Sequence, residues 1–347
     1  MKKTRYICFV AARSGGHIIP ALTSAQQHKR KNPTTKILFI STTNNLDRSI
    51  LSDRKEIDRS IWIKLGNFPY KKFYRYPHFL WQLSIAFLKS FYYLLWYRPA
   101  KVIAMGGYIS IPVCTAAWIL RIPRELFELN VIPGRAVRFL TRFVPRIAVC
   151  FKQTIGNLPS SNCYITSYPI RFSPKTKRIS KRDALTSMTL LSSRTTIMII
   201  GGSQGSAFIN NTIKQWVNEH PEYHQKIQII HQTGKLNDKY DLEEFYAHHT
   251  IPAFVFDYHD ELENCYQAAD IIICRSGAGT LFEVNFFQKP CITIPLETTT
   301  NNHQWYNATA MKKAFPSLFT VIQQKEITTN TNLLNSALEK QLQKSYP

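Results

Sequence analysis

The chain has 347 residues, enough for two cores of ordinary size, and with 44% hydrophobic and 19% charged residues it is globular, not disordered. A formal net charge of +22 suits an anionic partner: a phosphorylated substrate, an acidic membrane surface or nucleic acid. None of the seven cysteines forms a C-x-x-C, and several lie in apolar runs such as Ile271-Ile272-Ile273-Cys274, so they read as reduced core thiols and exclude a disulfide framework or zinc site.

Met1-Lys2-Lys3 has the look of a signal n-region, but the apolar run that follows stops at Arg13, and a buried first strand is expected instead of a secretory signal. Short apolar runs then alternate with longer amphipathic segments, the pattern of parallel βα units. In the first half the runs place strands at 6–12, 37–41, 61–65, 102–105, 126–128 and 147–151. Between the third and fourth, residues 79–97 are long and apolar, but Gln82, Ser84, Lys89 and Ser90 interrupt them. On a helical wheel Leu80, Leu83, Phe87, Phe91 and Leu94 share one face, expected on the sheet. Trp81, Ile85, Leu88, Tyr92 and Trp96 share another. Residues 68–98, with Lys71, Lys72 and Arg75 beside these aromatics, are therefore expected to dock on an anionic membrane surface without crossing it. Residues 171–194, rich in Lys, Arg, Ser and Thr, break the rhythm and read as a linker and lead-in to the second half. Second-half strands are expected at 196–200, 227–231, 253–256, 271–274, 291–295 and 318–322.

Each half opens with a strand, a Gly-rich turn and a helix: Ser14-Gly15-Gly16-His17 in the first, Gly201-Gly202-Ser203-Gln204-Gly205-Ser206 in the second. Such turns let backbone N–H groups approach a phosphate at a helix N-terminus. A full G-x-G-x-x-G is missing, and no acidic residue follows the second strand, where Thr42-Thr43-Asn44 stand, so nicotinamide chemistry is disfavoured. The strand ending at Cys274 runs into Arg275-Ser276-Gly277-Ala278-Gly279 and a helix expected to start at Thr280, with Glu283 in its first turn. Glu283 reads either as a carboxylate for the two hydroxyls of a ribose or as the partner of Thr280 in a capping box. No recognition-helix, RNP-type or zinc motif supports nucleic-acid binding.

Taken in order, Gly15-Gly16-His17, Gly106-Gly107-Tyr108, Glu128 with Asn130 and Pro133-Gly134, Pro169-Ile170-Arg171, Gly201 to Gly205, His231-Gln232-Thr233-Gly234, Arg275 to Glu283, and His303-Gln304 with Asn307-Ala308 resemble the MurG family of bacterial N-acetylglucosaminyltransferases. The resemblance covers about residues 6–310. It departs from the family at Ala12-Arg13, where glycines are usual, at Ser14, which replaces a threonine, and at Phe127, Leu129 and Tyr168.

The resemblance implies an α/β protein of the GT-B fold, two Rossmann-like domains with parallel sheets facing a cleft. Residues 1–170 would bind acceptor and membrane and residues 171–330 the UDP-sugar, with a final helix at about 330–347 packing back on the first domain. It implies inverting transfer from UDP-N-acetylglucosamine to the 4-hydroxyl of undecaprenyl-diphosphate-linked N-acetylmuramoyl-pentapeptide (lipid I), with no metal and no redox cofactor. The enzyme would be peripheral on the cytoplasmic face of the inner membrane and in contact with other cell-wall synthesis proteins.

By the same resemblance His17 is the general base or a holder of the acceptor diphosphate, and Glu128 is a rival base or an orienting partner. Ser14, Gly15 and Gly16 bind substrate, and Asn130, on the wall opposite the donor residues, touches donor or acceptor. Ser203 and the surrounding N–H groups cradle the donor diphosphate, and Arg171 adds charge. His259 marks the uracil position, Ala278, Gly279, Thr280, Leu281 and Phe282 line the sugar and phosphate, Glu283 holds the ribose, and His303 and Gln304 reach the sugar hydroxyls. His231 is expected to support the second sheet. The alternatives are a related GT-B glycolipid transferase and a catalytically impaired UDP-sugar-binding relative.

Overall fold

The computed structural model describes residues 6–345 apart from 71, 203, 235–237, 260, 298–301 and 331, and only the backbone of 160, 177, 344 and 345. The chain forms two compact units, Met1–Arg171 and Phe172–Pro347.

The first unit holds strands β1 (Tyr6–Val10), β2 (Lys36–Thr42), β3 (Arg59–Ile63), β4 (Lys101–Ala104), β5 (Arg124–Glu128), β6 (Ile147–Val149) and β7 (Cys163–Ile165). Its helices are α1 (Gly15–Lys31), α2 (Asn45–Leu51), α3 (Tyr76–Tyr97), α4 (Ser110–Ile119) and α5 (Arg135–Leu140). The second unit holds β8 (Thr195–Ile200), β9 (Ile227–Gln232), β10 (Ala253–Phe256), β11 (Ile271–Cys274), β12 (Cys291–Thr293) and β13 (Phe319–Val321). Around them lie α6 (Lys181–Thr186), α7 (Ala207–Glu219), α8 (Lys239–His248), α9 (Glu263–Ala268), α10 (Ala278–Phe287), α11 (His303–Ala314), α12 (Gln324–Thr329) and α13 (Asn332–Ser345).

Both sheets are parallel, in the orders β3-β2-β1-β4-β5-β6-β7 and β10-β9-β8-β11-β12-β13. Helices cover both faces of such a sheet, which explains why β2, β8 and β9 are almost wholly buried and read as continuous apolar runs. The strand order reverses between β1 and β4 in one unit and between β8 and β11 in the other. Ligands of open α/β sheets bind beyond the carboxyl ends of the strands at these reversals.

Three segments take a more definite form in the structure. Of residues 171–194, all after Arg171 belong to the second unit, where Phe172 packs on Tyr266 and Phe287, Gln267 Nε2 donates to Ile179 O at 2.8 Å, and Ala184, Leu185, Met188 and Leu190 are buried. Helix α13 sets Leu334, Leu338 and Leu342 into the second core and is part of that unit. On α3 the core-facing line is Phe79, Leu83, Ala86, Phe87, Ser90 and Leu94, while Leu80 is 58% exposed. Phe79 supplies the large buried ring at the start of the helix, which turns Leu80 toward solvent.

Candidate active site

In the first unit the turn after β1 is shaped by Ser14, the N-cap of α1, whose carbonyl accepts from the N–H groups of His17 and Ile18 at 3.1 Å each. Its Oγ lies 3.1 Å from His17 Nδ1. Gly15 is buried and Gly16 exposed, with His17 half-buried between the loops after β1 and β4. The β4 loop turns through Gly106 and Gly107 at φ of +84° and +78°, left-handed backbone that favours glycine. Gly106 faces His17, and a Cβ there would lie 3.7 Å from His17 Nε2.

Glu128 ends β5, is 3% exposed, and organises the loop that follows it. Its Oε1 accepts the Asn130 N–H at 2.9 Å and Asn130 Nδ2 at 3.3 Å, while Oε2 accepts the Gly134 N–H at 2.9 Å. Burial pushes its carboxyl up, and these same hydrogen bonds pull it back. Both carboxylate oxygens of Glu128 are thus engaged by the loop that follows β5. Asn130 is half-buried, and its carbonyl accepts from Thr154 Oγ1 at 3.0 Å. Arg171, also half-buried, is the last residue of this unit.

In the second unit the loop 201–206 leads into α7, capped by Ser206, whose Oγ accepts from the Ile209 N–H at 3.3 Å. This loop crosses the turn after β9 so closely that a Cβ on Gly205 would come 2.0 Å from Thr233 O. Only glycine permits that approach. Ser203 lies outside the described residues.

The sequence reading missed Arg275 as a member of this constellation. It is 6% exposed; its Nε donates to Ser206 Oγ at 3.1 Å and its Nη1 to the carbonyls of Ile294 and Pro295 at 3.2 and 3.3 Å. The loops after β8, β11 and β12 are thus tied through one guanidinium, whose pKa burial lowers to about 10. A charge placed directly after the buried run 271–274 was the available signal.

Helix α10 begins at Ala278, two residues before the expected start, with Gly277 as its N-cap. The capping-box reading of Thr280 and Glu283 is therefore overturned. Glu283 sits in the second turn, 8% exposed, with Oε2 accepting from Tyr266 Oη at 2.8 Å. Ala278 is buried, and Gly279, Thr280 and Phe282 are half-buried. Leu281 is wholly buried, and its N–H donates to Gly277 O at 3.1 Å.

His303 opens α11 half-buried. The Oε1 of Gln304 accepts from the N–H groups of Ser276 at 3.1 Å and Leu296 at 2.9 Å, fastening the β11 and β12 loops together. Its Nε2 has no partner among the described residues. His259 follows β10 and packs on Phe256, with ring centroids 5.7 Å apart.

Each unit thus gathers its polar groups at the carboxyl edge of its own sheet, at the point of strand reversal. Residues 7–149 match the glycosyltransferase family 28 N-terminal domain and residues 196–346 its C-terminal domain. A UDP-N-acetylglucosamine–N-acetylmuramyl-(pentapeptide) pyrophosphoryl-undecaprenol N-acetylglucosamine transferase from Protochlamydia amoebophila (strain UWE25) is 33% identical over 86% of this chain and 78% of its own length. The chain belongs to the MurG family. A protein of the same name from Finegoldia magna (strain ATCC 29328 / DSM 20472 / WAL 2508) is 30% identical over 96% of this chain and 92% of its own. The crystal structure of Acinetobacter baumannii MurG aligns over 97% of this chain and 92% of that one, with a TM-score of 0.70 and 23% identity. That likeness adds the fold: two parallel α/β units as in MurG family members and other GT-B enzymes.

Proposed function

We propose that the protein transfers N-acetylglucosamine from UDP-N-acetylglucosamine to the 4-hydroxyl of undecaprenyl-diphosphate-linked N-acetylmuramoyl-pentapeptide, with inversion at the anomeric carbon. The observation that carries this reading is the 33% identity to a transferase of that name over 86% of the chain. Inverting transfer requires a base for the acceptor proton, charge stabilisation on the departing diphosphate, and alignment of the two.

In this reading the first unit takes the acceptor. His17 receives the hydroxyl proton on Nε2, the nitrogen turned toward Gly106, while Ser14 Oγ holds Nδ1. Glu128 fixes the loop that presents Asn130. The second unit takes the donor. The N-terminus of α7 and the loop before it receive the diphosphate, helped by Arg171 and Ser203, and Arg275 holds that loop in place. Glu283 accepts from the ribose hydroxyls, and Ala278, Gly279, Thr280 and Phe282 bound the sugar and phosphate. His303 and the Gln304 amide reach the sugar hydroxyls, and His259 marks the uracil end.

The test is incubation with radiolabelled UDP-N-acetylglucosamine and a short-chain lipid acceptor, with UDP-glucose as control. Label is expected in the lipid product from the first donor. Transfer from UDP-glucose alone would overturn the sugar assignment.

We also propose that the first unit docks peripherally on the anionic inner leaflet of the cytoplasmic membrane, where the lipid-linked acceptor and partner cell-wall enzymes reside. Among the described residues no helix is long and apolar enough to cross a membrane. On α3, Leu80, Trp81, Leu88, Tyr92, Leu95 and Trp96 are 43–73% exposed, and Phe73 and Tyr74 just before it are 73% exposed. Lys72, Arg75, Lys89 and Arg98 flank this strip, each adding about 1 kcal/mol on anionic lipid. Lys71 lies outside the described residues. Flotation with anionic vesicles at low salt and release by carbonate are expected; failure to float would remove the docking role.

A further inference from the structure

Arg13 stands in the turn after β1 with φ +67°, a left-handed conformation that a side-chain-bearing residue rarely adopts. The position is held from both sides. Its N–H donates to Asp47 Oδ1 at 2.7 Å, and its guanidinium donates to Asn67 Oδ1 and to the carbonyl of Leu65. Both guanidinium partners are neutral oxygens, and they use two of its five N–H donors. Asp47 lies behind it, wholly buried, with its other oxygen accepting from Ser41 Oγ and from the N–H and hydroxyl of Thr42.

The guanidinium borders an open recess of about 240 Å³ at the carboxyl ends of β1, β2 and β3, bounded by Arg13, Thr43, Asn44, Lys64, Gly66 and Gln82. Lys64 is exposed and forms no ion pair among the described residues. Asn44 Oδ1 is taken by the Leu46 N–H, which leaves its amide nitrogen for the recess. Gln82 Oε1 accepts the Gly66 N–H at 2.7 Å and fixes the far wall. The rim carries two cations and no carboxylate. It is one turn of chain from His17 and draws on none of the groups assigned above.

We propose that this recess is an oxyanion subsite of the acceptor, taking a phosphate or a carboxylate between Arg13 and Lys64. The proposal rests on the reading that the first unit binds the acceptor. A pentapeptide linked to a pyrophosphoryl lipid offers two such groups, the diphosphate and the peptide carboxylate. An Arg fork with a neighbouring Lys fits either.

The test uses the full chain saturated with UDP, so that the donor's own diphosphate site is filled. Calorimetry is run with inorganic pyrophosphate, with a pentapeptide acid and with its C-terminal amide. Arg13→Gly suits the left-handed backbone and keeps the fold, and Lys64→Ala is made on the exposed rim. One probe is expected to bind, about ten-fold more weakly to each variant. Acceptor KM is expected to rise by a similar factor in each, with the UDP-N-acetylglucosamine KM unchanged. Binding of pyrophosphate assigns the subsite to the lipid diphosphate; binding of the acid but not the amide assigns it to the peptide. If no probe binds, or the variants bind as the parent does, the subsite is overturned. A protein that binds the probe in this way yet transfers no sugar would retain the subsite and lose the transferase reading.

Discussion

Arg275 Nε donates to Ser206 Oγ at 3.1 Å, joining the loop after β11 to the hydroxyl that caps α7 across the strand reversal of the second sheet. Arg275→Ala leaves that hydroxyl and the carbonyls of Ile294 and Pro295 without their donor. The expected loss is about 2–4 kcal/mol in urea unfolding, with Arg275→Lys recovering only part because an ammonium lacks the planar fork. An unchanged midpoint for Arg275→Ala would show that the brace contributes nothing.

Ser14 and His17 make the second prediction. His17→Ala is expected to lower kcat by roughly 10²–10⁴-fold with little change in donor KM. Ser14→Ala removes the hydroxyl partner of His17 Nδ1 and is expected to cost kcat about ten-fold, with Ser14→Thr restoring it. Normal turnover by His17→Ala would move the search for a base elsewhere in the unit.

Glu283 is held by the Tyr266 hydroxyl at 2.8 Å on a helix whose N-cap is Gly277, so it has no capping duty. Glu283→Ala is expected to weaken UDP binding about ten- to a hundred-fold by calorimetry, the worth of a charge-assisted pair of hydrogen bonds. Tyr266→Phe, which loosens the carboxylate without removing it, is expected to weaken UDP by a smaller factor. Equal UDP affinity in parent and Glu283→Ala would remove Glu283 from the donor site.

His231 gives the fourth. It is wholly buried, with Nε2 3.1 Å from Asn210 Oδ1 and Nδ1 2.8 Å from Tyr246 Oη. Asn210 Nδ2 is already donated to Thr233 O, so Nε2 carries the proton and the tyrosine hydroxyl donates to Nδ1. Burial pushes this imidazole down to about 3. The unfolded chain, with an ordinary value of about 6.5, binds the extra proton between those limits. Stability is therefore fully present above about pH 6.5 and falls as pH drops toward 3, by up to about 1.4 kcal/mol per unit from this group. His231→Gln is expected to flatten that part of the profile in urea unfolding between about pH 7 and 4. Parallel profiles would show that another group carries the dependence.

Strands buried on both faces, such as 196–200 and 271–274, announce themselves as unbroken apolar runs, and the order of glycine turns between them carries the family. What stayed hidden depends on three-dimensional neighbours. The edge strand β7 is only three residues long, two half-covered and one exposed, and has no such run. Leu80 and Leu83 are equivalent on a wheel until Phe79 takes the core position. The burial of Leu281 and the bracing by Arg275 follow from which loops the sheet order sets side by side, and local spacing holds no record of that.

The cysteines have a practical consequence. Six of the seven thiols are buried, and Cys163, on the edge strand, is only partly covered. Cys8, Cys114 and Cys150 are shut inside the first unit, and Cys265, Cys274 and Cys291 inside the second. A thiol reacts as its thiolate, and burial both hides these groups and pushes those of Cys114 and Cys150 up to about 12. An alkylating reagent therefore meets Cys163 first in the native protein. When either half opens, three new sulfur atoms from that half alone enter the adduct pattern, so mass spectrometry of timed alkylation reads out which half comes apart before the other.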